Sequence, residues 1–349
     1  MTGLTHEDRG ALVDSVRRLL ADRCTEGDVR RIMDGETGHD PDLWRALAEM
    51  GVPGLMIATA QGGAGLGAVE LGLVMEEVGA ALLPAPLLSC VIAAAALADS
   101  DATDLLAGIA DGSRIATVAF SGSDDWTGRG DVTVSGDRAS GTARFVTDAA
   151  IADTILIATD EGVFLPLHTP QVTVLPVFDR TRRMADVTFD GAVRRVGDAA
   201  AVRAMRDLAI VALAGEQAGI ARRVLEMTVG YAAERHQFGR AIGSFQAVKH
   251  MAADLLLESE SATSAARDAA EQLAAGSAEK DAAVALAAFA CADAAVRCTK
   301  DAIQMHGGIA FTWAHPAHLY LRRARSAAQL FGAPPLWRDR YLTALEAVA

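Results

Sequence analysis

The sequence predicts an α+β protein in three consecutive parts: an N-terminal helical domain over 1–112, a small antiparallel β-domain over 113–197 and a C-terminal four-helix bundle over 198–349. Three observations carry this. Apolar residues recur at helical spacing on both sides of a central stretch, that stretch alone breaks into short β-branched runs, and the C-terminal part is alanine-rich text interrupted by few glycines and prolines. A chain of 349 residues exceeds what one hydrophobic core usually serves, and a hydrophobic content of 51% is enough to fill two or three.

The first part begins with Leu12, Val13, Val16, Leu19 and Leu20 at helical spacing; Leu43, Leu47 and Met50 repeat it after the start signal Asp40-Pro41. A glycine turn, Gly62-Gly63-Ala64-Gly65-Leu66-Gly67, separates two of these helices. No strand precedes it, so its Gly63-x-Gly65-x-Gly67 spacing is not a dinucleotide fingerprint. The β-domain is read from Ile115 to Phe120, Val132 to Val134, Thr154 to Ala158, Val163 to Leu167, Val172 to Val177 and Val187 to Phe189. From Ala199 the text is helical again, with breaks near Gly239, at Gly276, at Gly307-Gly308 and at Pro334-Pro335.

A formal charge of -13 and a pI near 5.1 argue against nucleic-acid binding, which needs a concentrated basic face. Cys24, Cys90, Cys291 and Cys298 lack CxxC spacing and are expected as free, buried thiols. The histidines have no carboxylate or thiol at ligand spacing, so no metal is expected. Met1 to Arg9 lacks a signal pattern, and the apolar runs at 81–98 and 282–296 are interrupted by Ser, Asp or Cys; no membrane association is expected, and the location is read as cytoplasmic.

Two stretches interrupt the helical text with residues that packing does not require. Glu234-Arg235-His236-Gln237-Phe238-Gly239-Arg240-Ala241-Ile242-Gly243-Ser244-Phe245-Gln246 places a planar fork of donors at a helix end, suited to a diphosphate or to a surface ion pair. Gln304-Met305-His306-Gly307-Gly308 ends another helix with a glycine pair, which is either a plain stop or a place where a ligand approaches the backbone. Arg322, Arg323 and Arg325 form a third cluster, either a solvated face or an anion site.

The first stretch resembles the signature Arg-x-Gln-Phe-Gly-x-x-Ile-x-x-Phe-Gln of the acyl-CoA dehydrogenase family, and the order helices, β-domain, four-helix bundle is similar to that family over nearly the whole chain. The resemblance implies FAD as cofactor. Arg235, Gln237 and Phe238 would lie near its diphosphate or adenosine end, with Gln304, Gly307 and Gly308 meeting the diphosphate of a flavin held mainly by a neighbouring subunit. Gly141 to Asp153 resembles the strand in which a Trp-Ile-Thr triplet lies against the flavin ring; Phe145 stands at the tryptophan and Thr147 keeps the hydroxyl, unless Phe145 is simply core. The family's Thr-Glu-Pro stretch is replaced by Ala119-Phe120-Ser121-Gly122-Ser123-Asp124, its Tyr-Gly-Gly-x-Gly turn has Gln61 for the tyrosine, and Ala58-Thr59 replaces Pro-Glu. The Arg-Asp-Ala-Lys helix of the family corresponds to Arg322-Arg323-Ala324-Arg325.

Desaturation of a thioester needs a carboxylate base whose pKa is raised by burial. The two positions that the family uses for it fall on Phe331 and about Ala209, neither of which can take a proton. Asp207 and Glu216 lie near the second position. Glu216, isolated on an apolar face, is either the buried partner of an arginine or the functional acid.

The implied function is therefore FAD-dependent α,β-desaturation of an acyl-CoA, with a bulky or steroid side-chain acyl group suggested by the run Gly308 to Arg323. An electron-transfer flavoprotein or similar acceptor would take the electrons. An unlike, related subunit in an α2β2 assembly would supply the base or the ring site. The alternatives are a self-sufficient homo-oligomer using Glu216 or Asp207, a non-catalytic scaffold subunit of the same fold, and a flavin monooxygenase or oxidase of that fold.

Overall fold

The computed structural model describes residues 4–121 and 130–348, so positions 122–124 of the stretch replacing Thr-Glu-Pro lie outside the described residues. The N-terminal helices are α1 (His6–Arg23), α2 (Glu26–Asp34), α3 (Pro41–Glu49), α4 (Ala68–Ala81), α5 (Leu87–Leu97) and α6 (Thr103–Ala110). Their starts follow from side chains that satisfy the first free N–H groups. Thr5 with Asp8 and Thr25 with Asp28 form capping boxes, and Asp40 accepts from the N–H groups of Asp42 and Leu43 with Pro41 in the first helical position. α4 buries three glutamates, each met by an arginine: Glu70 by Arg9 at 2.8 Å, Glu76 by Arg267 at 2.8 Å, and Glu77 by Arg17 at 3.0 Å and Arg222 at 2.8 Å.

The middle strands are β1 (Ala116–Phe120), β2 (Thr133–Ser135), β3 (Arg138–Thr147), β4 (Thr154–Thr159), β5 (Gly162–Pro166), β6 (Gln171–Val174) and β7 (Met184–Asp198), in the spatial order β1-β4-β5-β7-β3-β2 with β6 paired to β7. The sheet is antiparallel except that β1 runs parallel to β4. The chain makes the β2–β3 excursion between those two strands, so they meet by a crossover instead of a hairpin. Side-chain alternation, which is the same in either direction, does not reveal this.

The C-terminal part contains α7 (Ala199–Glu234), a short ribbon of β8 (His236–Gln237) and β9 (Arg240–Ala241), then α8 (Gln246–Ala275), α9 (Lys280–His306), α10 (Ala317–Ala327) and α11 (Pro334–Val348). Three members of the bundle are long. The fourth is divided where Phe331 and Gly332 take φ values of 57° and 104°, after which Pro334 opens α11. The segment Lys280–Phe311 is long and apolar enough to cross a membrane by composition, yet 61% of its apolar window is buried inside the protein, where α9 packs on α7 and α8.

One apolar core runs from the N-terminal helices through the bundle and takes in one face of the sheet at Val118, Leu156 and Val163, while the other face has its own around Ile157, Phe164, Val187 and Phe189. α4 and α7 cross at backbone contact. A Cβ on Gly79 would lie 1.9 Å from the Glu216 carbonyl oxygen, and one on Gly219 would lie 1.8 Å from that of Glu76.

Candidate active site

A cavity of about 900 Å³ opens on the seam between the sheet and the end of the bundle. One wall is β3. Its pairing with β7 slips between Ala143 and Val146, and Phe145, at φ 57°, is turned out of the ladder and left 44% exposed. Thr147, two residues on, is buried and lines the same wall. The opposite wall is the end of α10 and the turn into α11, with Arg325, Gln329, Phe331 and Leu336. Phe331 packs edge-to-face on Phe120 at 5.6 Å, and its carbonyl accepts from Trp337 Nε1 at 3.0 Å. The structure thus brings Phe145, Thr147 and Phe331 together around one space. Among the described lining residues the charged side chains are Arg144 and Arg325, and no carboxylate is present.

Ala209 does not line that cavity; it is fully buried in α7. Glu216 is also fully buried, and its surroundings are those of an arginine's partner, one of the two alternatives the sequence leaves open. Its Oε2 lies 2.5 Å from Arg182 Nη2 and its Oε1 lies 3.4 Å from Arg323 Nη1. Burial alone would raise this carboxyl, but the two guanidinium groups override it and hold Glu216 below the usual glutamate range. A group so held is a poor proton acceptor near neutrality. Asp207, the other nearby acid, is likewise engaged, by Lys280 at 2.9 Å and Arg206 at 3.0 Å.

Around Glu216 the ion pairs close into a buried knot. Arg323 Nε lies 2.9 Å from Asp179 Oδ2, and its Nη2 donates to Thr181 Oγ1 at 2.7 Å and to the Thr181 carbonyl at 3.0 Å. The three arginines of α10 therefore do not share a solvated face. Arg323 is buried in the knot, Arg325 lines the cavity, and Arg322 lies over the rings of Phe178 and Trp313 at 4.7 Å and 5.3 Å. Helical geometry turns successive residues by about 100°, which disperses such a run.

The two motifs at helix ends meet at one end of the bundle. Tyr231, one turn before Arg235, donates from its hydroxyl to the carbonyl of His306 at 3.3 Å, and the two rings stack at 4.4 Å. Arg235, Gln237 and Phe238 on one side, and Gln304, Gly307 and Gly308 on the other, are all exposed, Phe238 at 92%. Phe238 sits at φ 53° and meets Phe245 edge-on at 6.1 Å. These donors and the aromatic side chains lie outside the seam cavity, on a surface of this chain that is open.

Asp148, Ser89 and Arg182 also belong to this region, and no motif marks them in the sequence. Ser89 is legible in retrospect as the one hydroxyl inside the otherwise apolar Leu87–Leu97. Among the described residues no group of three or more His, Cys, Asp or Glu side chains could hold a metal ion, and all four cysteines are free and buried.

Helices, sheet and bundle in this order, with a cavity on the seam, define an oxidoreductase fold of the acyl-CoA dehydrogenase class. The chain belongs to the acyl-CoA dehydrogenase family. The family's N-terminal domain matches residues 6–100 and its C-terminal domain residues 202–336. It is 37% identical to acyl-CoA dehydrogenase IpdE2 of Mycolicibacterium smegmatis over 94% of this chain and 96% of that protein. It is 34% identical to acyl-CoA dehydrogenase IpdE2 of Mycobacterium tuberculosis over 94% of each. Among solved structures, a variant of the Tcur3481–Tcur3483 steroid ACAD superposes with a TM-score of 0.90 at 29% identity, covering 98% of both chains. The ChsE4–ChsE5 complex of Mycobacterium tuberculosis superposes with a TM-score of 0.88 at 29% identity, covering 99% of both.

Proposed function

We propose that this chain is one subunit of a heteromeric, FAD-dependent acyl-CoA dehydrogenase whose unlike partner supplies the catalytic carboxylate. The observation that carries this is the seam cavity, which holds an aromatic, a hydroxyl and guanidinium groups but no acid among its described lining residues. The residues present fit a flavin: Phe145 offers a flat face, Thr147 a polar contact at the ring edge, and about 900 Å³ accommodates a ring system with room for substrate. FAD when bound supplies the hydride acceptor for the β-hydrogen of the thioester. The chain's own side chains orient and enclose. Phe331 occupies the place from which the α-proton would be removed and, having no proton acceptor, can only exclude water. Glu216 is committed to Arg182 and Arg323.

Arg235, Gln237, Phe238, Gln304, Gly307 and Gly308 form the second half of the reading: exposed at one bundle end, they grip the diphosphate of a flavin seated in the neighbouring subunit. Similarity to the ChsE4–ChsE5 complex and to the Tcur3481–Tcur3483 steroid ACAD supports an unlike partner in an α2β2 assembly and a bulky, steroid-like acyl group. The four free, buried thiols suit a reducing, cytoplasmic compartment, where an electron-transfer flavoprotein or similar carrier would accept the electrons.

The test is dye-coupled turnover of a steroid side-chain acyl-CoA by the chain alone and by the chain purified with its partner, with the visible spectrum and native mass of each. The expected result is turnover only in the complex. Full turnover by the chain alone overturns the reading, and a colourless complex that ignores added FAD identifies a scaffold instead.

A further inference from the structure

Behind the cavity wall lies a short chain of hydrogen bonds that the reaction described above does not use. Thr147 Oγ1 faces Ser89 Oγ at 2.9 Å, and Ser89 Oγ lies 2.6 Å from Asp148 Oδ2. Thr147 and Ser89 are buried, so water does not compete for their contact, while Asp148 is half-buried and reaches solvent. The backbone fixes the arrangement. Asp148 sits at φ 56°, a conformation that aspartate tolerates, with its N–H donating to the Arg183 carbonyl at 3.0 Å, and the Thr147 carbonyl accepts from Thr117 Oγ1 at 2.7 Å.

We propose that Asp148, acting through Ser89, sets whether Thr147 donates or accepts a hydrogen bond inside the cavity. A hydroxyl carries one hydrogen and can send it one way only. When Asp148 is ionised, Ser89 donates to the carboxylate, the stronger charge-assisted bond, and must accept from Thr147. Thr147 then shows the cavity only lone pairs. When Asp148 is protonated the order reverses: the carboxyl hydrogen goes to Ser89, that of Ser89 to Thr147, and that of Thr147 into the cavity. The hydroxyl hydrogens of Ser89 and Thr147 only rotate, each staying on its own oxygen; the one O–H bond made or broken is that of the Asp148 carboxyl, whose proton is exchanged with solvent.

The charged groups facing Asp148 pull it in both directions. Burial pushes its carboxyl above the usual aspartate range and Glu216 adds to this, whereas Arg182 and Arg323 favour the ionised form. The neighbouring Cys90 thiol, pushed up to about 12, stays neutral throughout. Asp148 is thus a positioning residue for Thr147, and the ligand it tunes is any ring whose edge presents a donor in one state and an acceptor in another.

This inference rests on the reading of the cavity as the flavin-ring site. It is tested by measuring FAD affinity from flavin fluorescence against pH, between about pH 5 and 9, for the complex carrying the wild-type chain, Ser89→Ala or Asp148→Asn. The wild type is expected to change affinity about tenfold across one titration, the worth of one hydrogen bond gained or lost, and both variants to give a flat profile while still binding FAD. A flat wild-type profile, or a Ser89→Ala profile that follows the wild type, overturns the proposal. Should the wild type bind no FAD at any pH, the flavin reading fails and the relay is still decided by infrared titration of the carboxyl band assigned through Asp148→Asn. In Ser89→Ala its midpoint moves up, because the bond that stabilises the carboxylate is gone; an unmoved midpoint overturns the relay.

Discussion

Replacing Glu216 with glutamine removes one negative charge from a knot in which Glu216 and Asp179 balance Arg182 and Arg323, all of them buried. The glutamine keeps the shape but leaves one buried guanidinium uncompensated, a change that costs about 3–5 kcal/mol. With an unfolding entropy of about 2.1 cal/mol/K per residue, that loss corresponds to a fall in Tm of roughly 4–7 °C for a chain of 349 residues. The pH dependence has a definite sign. Glu216 is held below its ordinary value, so its contribution is complete above about pH 4.3, the unfolded value, and disappears as the pH falls through the lower folded value. Wild type and variant should therefore converge in acid. The assay is thermal unfolding by circular dichroism from acid to neutral pH, paired with turnover of the partnered complex below the melting range. Loss of stability with turnover kept within severalfold is the expected result. An unchanged Tm together with abolished turnover would show that Glu216 is the base and that the structural assignment is mistaken.

Other outcomes follow from separate parts of the molecule. Gly219→Ala drives a methyl into the Glu76 carbonyl, where a Cβ would lie 1.8 Å from the oxygen, and should destabilise the chain by about 1–3 kcal/mol or more; a variant that unfolds in urea at the wild-type midpoint would contradict the α4–α7 contact. Arg235→Ala combined with Gln304→Ala should leave the melting temperature of the flavin-free protein within about 1 °C, since both side chains are exposed, yet lower FAD retention in the complex at least about tenfold. Unchanged visible absorbance after gel filtration would detach these residues from the cofactor.

Much of the fold is legible from the residues because it depends on local chemistry. The start signal Asp40-Pro41 and the glycine breaks at Gly276 and Gly307 act within a few residues of themselves. Strand direction is not legible, since the β1–β4 pairing depends on where the intervening hairpin goes. The site divides in the same way. That Phe331 carries no proton is plain from its identity, but that it faces Phe145 and Thr147 across one cavity depends on segments far apart in the chain. Glu216 could be read as an arginine partner or as an acid, and the arrival of Arg182 and Arg323 from two other elements, which favours the first, has no trace in the local sequence. Ser89 and Asp148 escaped notice because neither belongs to a motif; their meaning is the distance between them.

The knot around Arg323 also acts as a bolt. Asp179, Thr181 and Arg182 lie on the segment leading into β7, Glu216 on α7 and Arg323 on α10, so the ion pairs add to the shared apolar core in fastening the sheet to the helical body. The two jaws of the cavity are carried by those same two bodies, β3 on one and the turn between α10 and α11 on the other. The gap that a ring must fit is therefore gauged in part by charge balance in the interior, well away from any atom that would touch the ring.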